Sequence, residues 1–319
     1  MLQNIPADYI HSEADLFHTY GWEQFIKQAR RVTGSALVSR STLFFDYGTL
    51  ILRSGEKAKE RAALVRFGPT LNHGQADELG LAFYAKDREF SFDPGYYNTH
   101  LLFGFTATTV AHNLLVVNRR NQLRQLSPGG ELQTWTDGEV LHSAAVNDPK
   151  AYADQNLQEY KRRVALIDLS PEDSYIIDNF WARGGTDYDY SLHGIVNGQV
   201  QVLPTSKTVL KETRTGSVLS PNVDYSAELD PYGRVISYPD KPFYWAPPGE
   251  GYGFLSHPSF YTLTGPAQLL WKATDKTDHR MYVWHFAPPI GRIDYCAFAK
   301  VVSYYRFNIC IVTREYSGF

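Results

Sequence analysis

The chain has few cysteines and no long apolar run. Its two cysteines, Cys296 and Cys310, lie in apolar stretches without the spacing of a metal site, so we expect buried free thiols. No apolar segment approaches the length of a membrane-spanning helix, and Met1–Asp8 lacks the charged-then-apolar pattern of a secretion signal. We therefore expect no membrane insertion, and two cysteines leave the redox compartment open.

The chain also lacks an excess of positive charge. Its formal net charge is −3 over 319 residues, so the composition does not indicate nucleic-acid binding. We interpret the local basic clusters Arg30-Arg31, Arg119-Arg120 and Lys161–Arg163 as solvated faces, although a local patch would suffice to attract an anionic polysaccharide. Neither a phosphate-binding loop nor a Gly-x-Ser-x-Gly element occurs, and we expect no organic cofactor.

Aromatic residues, by contrast, are abundant at 14%, and 22 of them are tyrosines, which suits pleated sheets. Short β-prone runs such as Thr49–Arg53, Ala62–Phe67 and Val164–Asp168 alternate with Gly-Pro, Pro-Gly and Asn-Gly turn signals. This spacing predicts a mainly β chain built as a large antiparallel sandwich. The stretch from Ser12 to Val32 is the exception, because its apolar residues recur at helical spacing.

We therefore divide the chain into a helical segment or linker at residues 1–44 and an antiparallel β-sandwich at 45–319. One amphipathic helix before a large β region is typical of the tail of a helical domain. The last β-prone run, Phe307–Arg314, lies five residues from the final residue. We expect the sequence to be part of a longer protein, with the sandwich incomplete at its C-terminal end.

Polar residues gather at the ends of several predicted strands. His73, Gln75 and Asp77 share the parity of Leu79 and Leu81, so in one continuous strand all of them would lie on one face. Side chains at strand ends on one rim of a sheet could assemble a site on a rigid scaffold.

Two further polar residues mark such ends. Asp93 closes the run that starts at Arg88, and His112 leads into Asn113–Val117. A two-residue turn after Ala85 would place Asp93 on the face opposite Leu81, whereas a bulge would reverse that placement. The sequence leaves the register open.

Three ordered blocks carry a resemblance to a known family. Asn72–Leu79, then Phe92–Gly95, then Thr109–Val117 resemble the heparinase II/III-like polysaccharide lyases, which show His-Gly-His-x-Asp-x-Leu, Asp-x-Gly and Ala-His-Asn-Thr-Val-Val-Val in that order. Weaker similarity extends from Asp46 to Gly194.

The resemblance implies an α/α toroid followed by a super-β-sandwich, with 1–44 as a helical remnant of the toroid. It implies β-elimination on a uronic-acid-containing polysaccharide of the glycosaminoglycan or alginate type, in the cleft between the two domains. The reaction needs a base for the C5 proton, a neutraliser for the carboxylate and an acid for the leaving oxygen. In the family a tyrosine of the helical domain commonly acts as base and acid. The resemblance also implies an acidic polysaccharide partner, a possible homodimer, and a periplasmic or secreted location.

Individual residues take roles from the motif positions that they match. His73 matches the family's substrate-facing histidine and is the predicted catalytic residue of this chain. Gln75, Asp93 and His112 match the zinc-binding positions, which are normally His, Asp and His. An amide oxygen is a poor zinc ligand and better suits calcium, so Gln75 either completes a weakened site for one divalent metal or joins a metal-free polar network.

Three further residues are predicted to bind substrate. Tyr96 and Tyr97 follow the Asp-Pro-Gly turn and could flank a sugar subsite, and the fork of the Arg88 guanidinium suits a substrate carboxylate. His193 is predicted to be structural. The alternative to a lyase is a non-catalytic carbohydrate-binding or structural β-sandwich.

Overall fold

The computed structural model describes much of the chain from residue 40 onward. The described residues are 40–56, 59–71, 74–85, 88–91, 93–95, 102–124, 126–171, 174–194, 198–203, 208–223, 225, 248–263, 267–273, 279–285, 291–297 and 310–315. Residues Ser41–Phe319 constitute one compact unit. The helix predicted between Ser12 and Val32 lies outside the described residues.

Antiparallel strands dominate this unit. The bounds are β1 Thr42–Phe44, β2 Thr49–Ser54, β3 Arg61–Arg66, β4 Leu81–Ala85, β5 Arg88–Ser91, β6 Leu114–Val117, β7 Glu131–Asp137, β8 Leu141–Asn147, β9 Glu159–Asp168, β10 Ser174–Arg183, β11 Tyr188–His193, β12 Gly198–Leu203, β13 Thr208–Thr213, β14 Ser256–Leu263, β15 Ala267–Ala273, β16 Arg280–His285, β17 Gly291–Ala297 and β18 Cys310–Glu315. One short α-helix, α1 (Leu102–Thr106), and 3-10 turns at Phe45–Tyr47, Thr109–Ala111, Pro149–Gln155 and Pro248–Phe254 connect them.

The strands form four sheets. Their orders are β1-β2-β3-β4-β5, β10-β9-β8-β7, β13-β14-β17-β18-β11-β6 and β12-β15-β16. We refer to them as the first, second, third and fourth sheets. Every named pair of strands is antiparallel, and the prediction of a mainly β antiparallel sandwich is confirmed.

The main core lies between the first and second sheets. Every second side chain of each strand points into this core. Leu50 and Leu52 of β2 and Val164 and Leu166 of β9 point inward and are essentially inaccessible to solvent. Full burial of each such side chain contributes about 1.5–3 kcal/mol. The two inward faces therefore hold the layers together and fix the register of each strand.

A second core packs beneath the fourth sheet. Trp271 and Leu269 of β15 are buried there against Leu192 of β11 and against Ala85 and Phe90 from the edge of the first sheet. The fourth sheet therefore has one buried face and one outward face.

The strand that was expected to run continuously from His73 through Leu81 does not form. Residues 74–80 are a loop, and β4 begins only at Leu81. Leu79, just before the strand, has a φ of +66°, which is incompatible with extended backbone. The shared-face prediction for Gln75 and Asp77 is therefore wrong, because a left-handed turn separates them from the strand.

The register between β4 and β5 contains a bulge. Phe83 pairs with Ser91, whereas Tyr84 pairs with Glu89, so Phe90 is the additional residue. The hydroxyl of Ser91 donates to the carbonyl oxygen of Leu81 at 3.2 Å. Of the two registers that the sequence left open, the bulged one is observed.

The structure also bears on membrane-spanning helices and on the two cysteines. Among the described residues, no helix combines the length and the apolar character needed to cross a bilayer. In the pairing of β17 with β18, Cys296 lies directly opposite Cys310. The free state of these thiols stays a prediction.

Candidate functional site at the rim of the first sheet

Gln75, Asp93 and His112 converge on one point although they are far apart in sequence. The amide nitrogen of Gln75 donates to the carbonyl oxygens of Gly95, at 2.6 Å, and Thr106, at 2.7 Å. The His112 ring reaches the same Thr106 carbonyl with Nε2 at 2.9 Å, and its Nδ1 lies 2.9 Å from Oδ2 of Asp93. We call Gln75, Asp93, Gly95, Thr106 and His112 the rim cluster.

The buried His112 and the partly buried Asp93 form an ion pair within the rim cluster. Burial by itself would raise the pKa of Asp93, but the charge and hydrogen bond of His112 outweigh it and lower the pKa below its usual value. Burial would likewise lower the pKa of His112, but Asp93 outweighs it and raises the pKa. Both ring nitrogens face acceptors, so the arrangement favours the imidazolium form of His112, in which each nitrogen donates.

This arrangement does not fit a divalent metal. A metal needs a lone pair from neutral imidazole, and both nitrogens of His112 act as donors. The nitrogen of the Gln75 amide, not its oxygen, faces the cluster, because its two neighbours are carbonyl acceptors. No group of three or more His, Cys, Asp or Glu side chains among the described residues could hold a metal. The hydrogen bonds of Gln75 and His112 in the rim cluster run through the backbone carbonyl oxygens of Gly95 and Thr106.

The loop that carries Gln75 is anchored by the buried carboxylate of Glu78. Its Oε1 accepts from the Thr70 backbone nitrogen at 2.9 Å and from the Thr70 hydroxyl at 3.1 Å, and its Oε2 accepts from the Ser127 hydroxyl at 2.6 Å. Gln122 closes the loop from the other side, since its amide bonds both the nitrogen and the carbonyl oxygen of Glu78. These contacts fix the end of the loop at Glu78 and tie it to Thr70, Ser127 and Gln122.

A second buried carboxyl group, Asp148, neighbours Glu78. Burial, followed by the hydrogen bond and charge of Glu78, raises the pKa of Asp148 to about 8. Two adjacent buried carboxylates would repel each other, so the raised pKa favours the protonated form of Asp148 at neutral pH.

Asn113, next to the rim histidine, ties two sheets together. Its side-chain nitrogen donates to the Leu81 carbonyl oxygen at 2.9 Å, and its side-chain oxygen accepts from the His193 backbone nitrogen at 2.5 Å. The side chain of His193 is buried with Nε2 3.0 Å from the Val110 carbonyl oxygen, and burial lowers its pKa to about 4. His193 is therefore a neutral structural histidine, as the sequence predicted.

Arg162 is the principal residue that sequence reasoning missed. The cluster Lys161–Arg163 was interpreted as solvated, and for Arg162 that interpretation is wrong because its side chain is 0% exposed. Its guanidinium donates to the carbonyl oxygens of Leu79 and Asn113, each at 2.5 Å. Arg162 therefore joins the end of the Gln75 loop to the segment after His112. The signal was available, because Arg162 shares the parity of Tyr160 and Val164 on β9.

The predicted substrate-binding residues lie elsewhere or outside the described residues. Arg88 opens β5, at the opposite end of that strand from Asp93. It lines a groove on the first sheet of about 590 Å³, together with Tyr84 and the ion pair between Arg53 and Glu60. His73, Tyr96 and Tyr97 lie outside the described residues, so their roles stay predictions.

One family model covers all residues of the rim cluster and part of the sandwich that carries it. Residues 36–231 match the model described as heparinase II/III-like, C-terminal, which is more than half of the chain. The chain belongs to the heparinase II/III-like family. All three sequence blocks that suggested this family fall inside the matched range.

Solved structures similar to this chain include a heparan sulfate lyase and a heparinase. Heparan sulfate lyase HepC from Pedobacter heparinus shares 14% identity at a TM-score of 0.47 and covers 93% of this chain. A heparinase III structure shares 12% identity at a TM-score of 0.48 and covers 96%. The chain spans only 38% and 41%, respectively, of the lengths of those two proteins. No curated protein matches the chain in sequence.

Proposed function

We propose that this chain forms the β-sandwich part of a polysaccharide lyase that cleaves a uronate-containing polysaccharide by β-elimination. The observation that carries the proposal is the convergence of the motif blocks: Gln75 and His112 meet at the carbonyl oxygen of Thr106, and Asp93 pairs with His112, within the range that matches the family. Motif residues from separate segments are expected to meet when they support one site.

In this proposal, His73 acts on substrate, and the rim cluster holds its loop. Removal of the C5 proton leaves negative charge on the uronate carboxylate, which a positioned histidine can neutralise or relieve by proton transfer. Glu78, Gln122 and Arg162 fix the far end of the loop that follows His73, and Glu78 ties that end back to Thr70. They are positioning residues, because none of them is proposed to touch the substrate.

The base and the acid are proposed to come from an α/α toroid partner domain, as in the family. The substrate is an acidic polysaccharide of the glycosaminoglycan or alginate type. The ion pair of Asp93 with His112 supplies rigidity in this scheme, and no step passes through a metal.

The test is ultraviolet absorbance, because β-elimination creates an unsaturated uronate that absorbs. Purified protein that carries both the toroid and the sandwich is incubated with a panel of glycosaminoglycans and alginates. Absorbance should rise on at least one polymer, and a His73→Ala variant that remains folded should lose most of this rise. A folded protein that gives no absorbance gain on any polymer would contradict the proposal, as would new reducing ends without absorbance, which indicate hydrolysis.

A non-catalytic carbohydrate-binding sandwich is the second candidate. Gln75 favours it, because the family position that normally carries a metal-binding histidine here makes hydrogen bonds to backbone carbonyls. Saturable binding of a uronate polymer without any absorbance gain would select this candidate over the lyase.

A further inference from the structure

The outward face of the fourth sheet carries two stacked aromatic side chains. Tyr282 and Trp284 alternate with inward-facing Met281 and Val283 on β16, and their exposed fractions are 43% and 56%. Their ring centroids lie 5.9 Å apart at an interplanar angle of 28°. Exposure of two large aromatic side chains side by side is unfavourable in water unless a partner covers them.

Polar side chains extend the same face across the sheet. Between β16 and β15, Trp284 lies opposite Gln268, Tyr282 opposite Leu270 and Arg280 opposite Lys272. Strand β12 extends the face on the other side of β15. The nine positions of this face are Gln199, Gln201, Leu203, Gln268, Leu270, Lys272, Arg280, Tyr282 and Trp284. We call this set the aromatic platform.

The dimensions of the aromatic platform suit an extended chain of sugars. Three rows separated by two residues each span roughly 13 Å along the strands, and three strands span roughly 10 Å across. Flat aromatic faces stack on the apolar faces of sugar rings, and the amides of Gln199, Gln201 and Gln268 offer both donors and acceptors to hydroxyl groups. A face of this kind is therefore suited to an oligosaccharide.

The charge of the aromatic platform favours an acidic sugar polymer. Two cations, Lys272 and Arg280, lie directly opposite each other at one end, and none of the nine positions is Asp or Glu. Positive charge concentrated next to stacked aromatic rings complements a polymer that carries carboxylates.

We propose that the aromatic platform is a second binding surface for a uronate-containing polysaccharide, distinct from the rim cluster. Sugar rings stack on Tyr282 and Trp284 while a uronate carboxylate pairs with Lys272 and Arg280. The six platform positions on β15 and β16, which include both aromatic rings and both cations, lie beyond the matched range of 36–231, so the family match does not assign them. The inference rests on the proposed function only for the class of polymer, and it requires no cleavage.

The experiment is calorimetric titration of the 319-residue chain with short alginate oligosaccharides, which carry carboxylates but no sulfate. We expect Trp284→Ala and Tyr282→Ala each to weaken binding about tenfold or more, as for buried aromatic anchors elsewhere. Trp284→Phe should retain much of the affinity, because it keeps a flat apolar ring. Lys272→Gln should weaken binding and reduce its dependence on salt.

The matched control is Trp181→Ala. Trp181 is 42% exposed on β10 of the second sheet, with the Lys161 ammonium 6.0 Å from its ring centroid, so it is an exposed aromatic beside a cation but outside the platform. Its removal should leave binding unchanged. Equal losses for Trp181→Ala and Trp284→Ala would overturn the inference, as would tight binding of neutral cellulose oligosaccharides at the same face.

Three further outcomes are decisive. A wild-type chain that is dimeric by light scattering and becomes monomeric with Trp284→Ala would overturn the inference, because a second copy would then cover the platform. Alginate binding that depends on Trp284, in a protein that never produces unsaturated uronate, would support the platform and refute the lyase proposal. Cleavage of alginate together with unchanged binding by Trp284→Ala would do the reverse.

Discussion

Arg162 of β9 and Asp178 of β10 form a bidentate ion pair between neighbouring strands of the second sheet. Nε of Arg162 lies 2.8 Å from Oδ1 of Asp178, and Nη2 lies 2.7 Å from Oδ2. The remaining donors reach the carbonyl oxygens of Leu79 and Asn113 and the hydroxyl of Tyr190. The buried Arg162 cation therefore connects the second sheet to the segments that carry Gln75 and His112.

The first prediction concerns this pair. Arg162→Met should lower the free energy of unfolding by about 3–5 kcal/mol, because it leaves the carboxylate of Asp178 and two carbonyl oxygens without their donor. Urea unfolding followed by tryptophan fluorescence measures the change.

The neighbouring residue provides the matched control. Arg163 lies on the outward side of β9 and is exposed, so Arg163→Met should shift stability by no more than about 0.5 kcal/mol. The double variant Arg162→Met with Asp178→Leu should be more stable than Arg162→Met alone, since no unpaired charge remains. Equal effects of Arg162→Met and Arg163→Met would contradict the assignment of Arg162 as a buried link.

The second prediction concerns the pH dependence of stability. The folded-state pKa of Asp148 is raised from 3.8 to about 8, so between these values the folded chain binds more protons at this group than the unfolded chain. The contribution of this group to the free energy of unfolding therefore falls as pH rises from about 4 to 8 and is lowest above 8. Asp148→Asn, which stays neutral and can still donate to Glu78, should be more stable than wild type at pH 9.

Thermal unfolding across this pH range measures the effect. Asp154→Asn is the control, because Asp154 is exposed within the same 3-10 turn, and its stability profile should parallel that of wild type. A profile of Asp148→Asn that parallels wild type from pH 4 to 9 would show that Asp148 is not protonated in the folded chain.

The third prediction concerns metal binding at the rim cluster. In wild type, hydrogen bonds from Gln75 and His112 occupy the positions that match the family's zinc ligands, so elemental analysis should find much less than one zinc per chain. Gln75→His supplies an imidazole and should tighten zinc binding at least about tenfold, because neutral imidazole is a preferred zinc ligand.

The double variant Gln75→His with His112→Ala separates this site from adventitious binding. It should lose the zinc that Gln75→His gains. Near-stoichiometric zinc in wild type that disappears with His112→Ala would contradict the metal-free cluster and restore the metal prediction.

The sequence by itself determined the β architecture and the family. Period-two alternation requires one buried face per strand, and turn residues separate the strands, so runs such as Thr49–Arg53 and Val164–Asp168 were correctly predicted within β2 and β9. Motif order along the chain was sufficient to identify the family, because it requires only residue type and spacing. The predicted rim residues Asp93 and His112 also meet as expected.

Only the tertiary structure decided how those residues meet. The positive φ of Leu79 ends the expected strand, and the bulge at Phe90 sets the register, and neither follows from residue type. Gln75 and His112 meet through the carbonyl oxygen of Thr106, a backbone group that every residue possesses and no sequence pattern marks. Arg162 became a buried cation instead of a solvated one because a carboxylate of the neighbouring strand and carbonyl oxygens of two distant segments surround it, and only the tertiary packing brings those groups together.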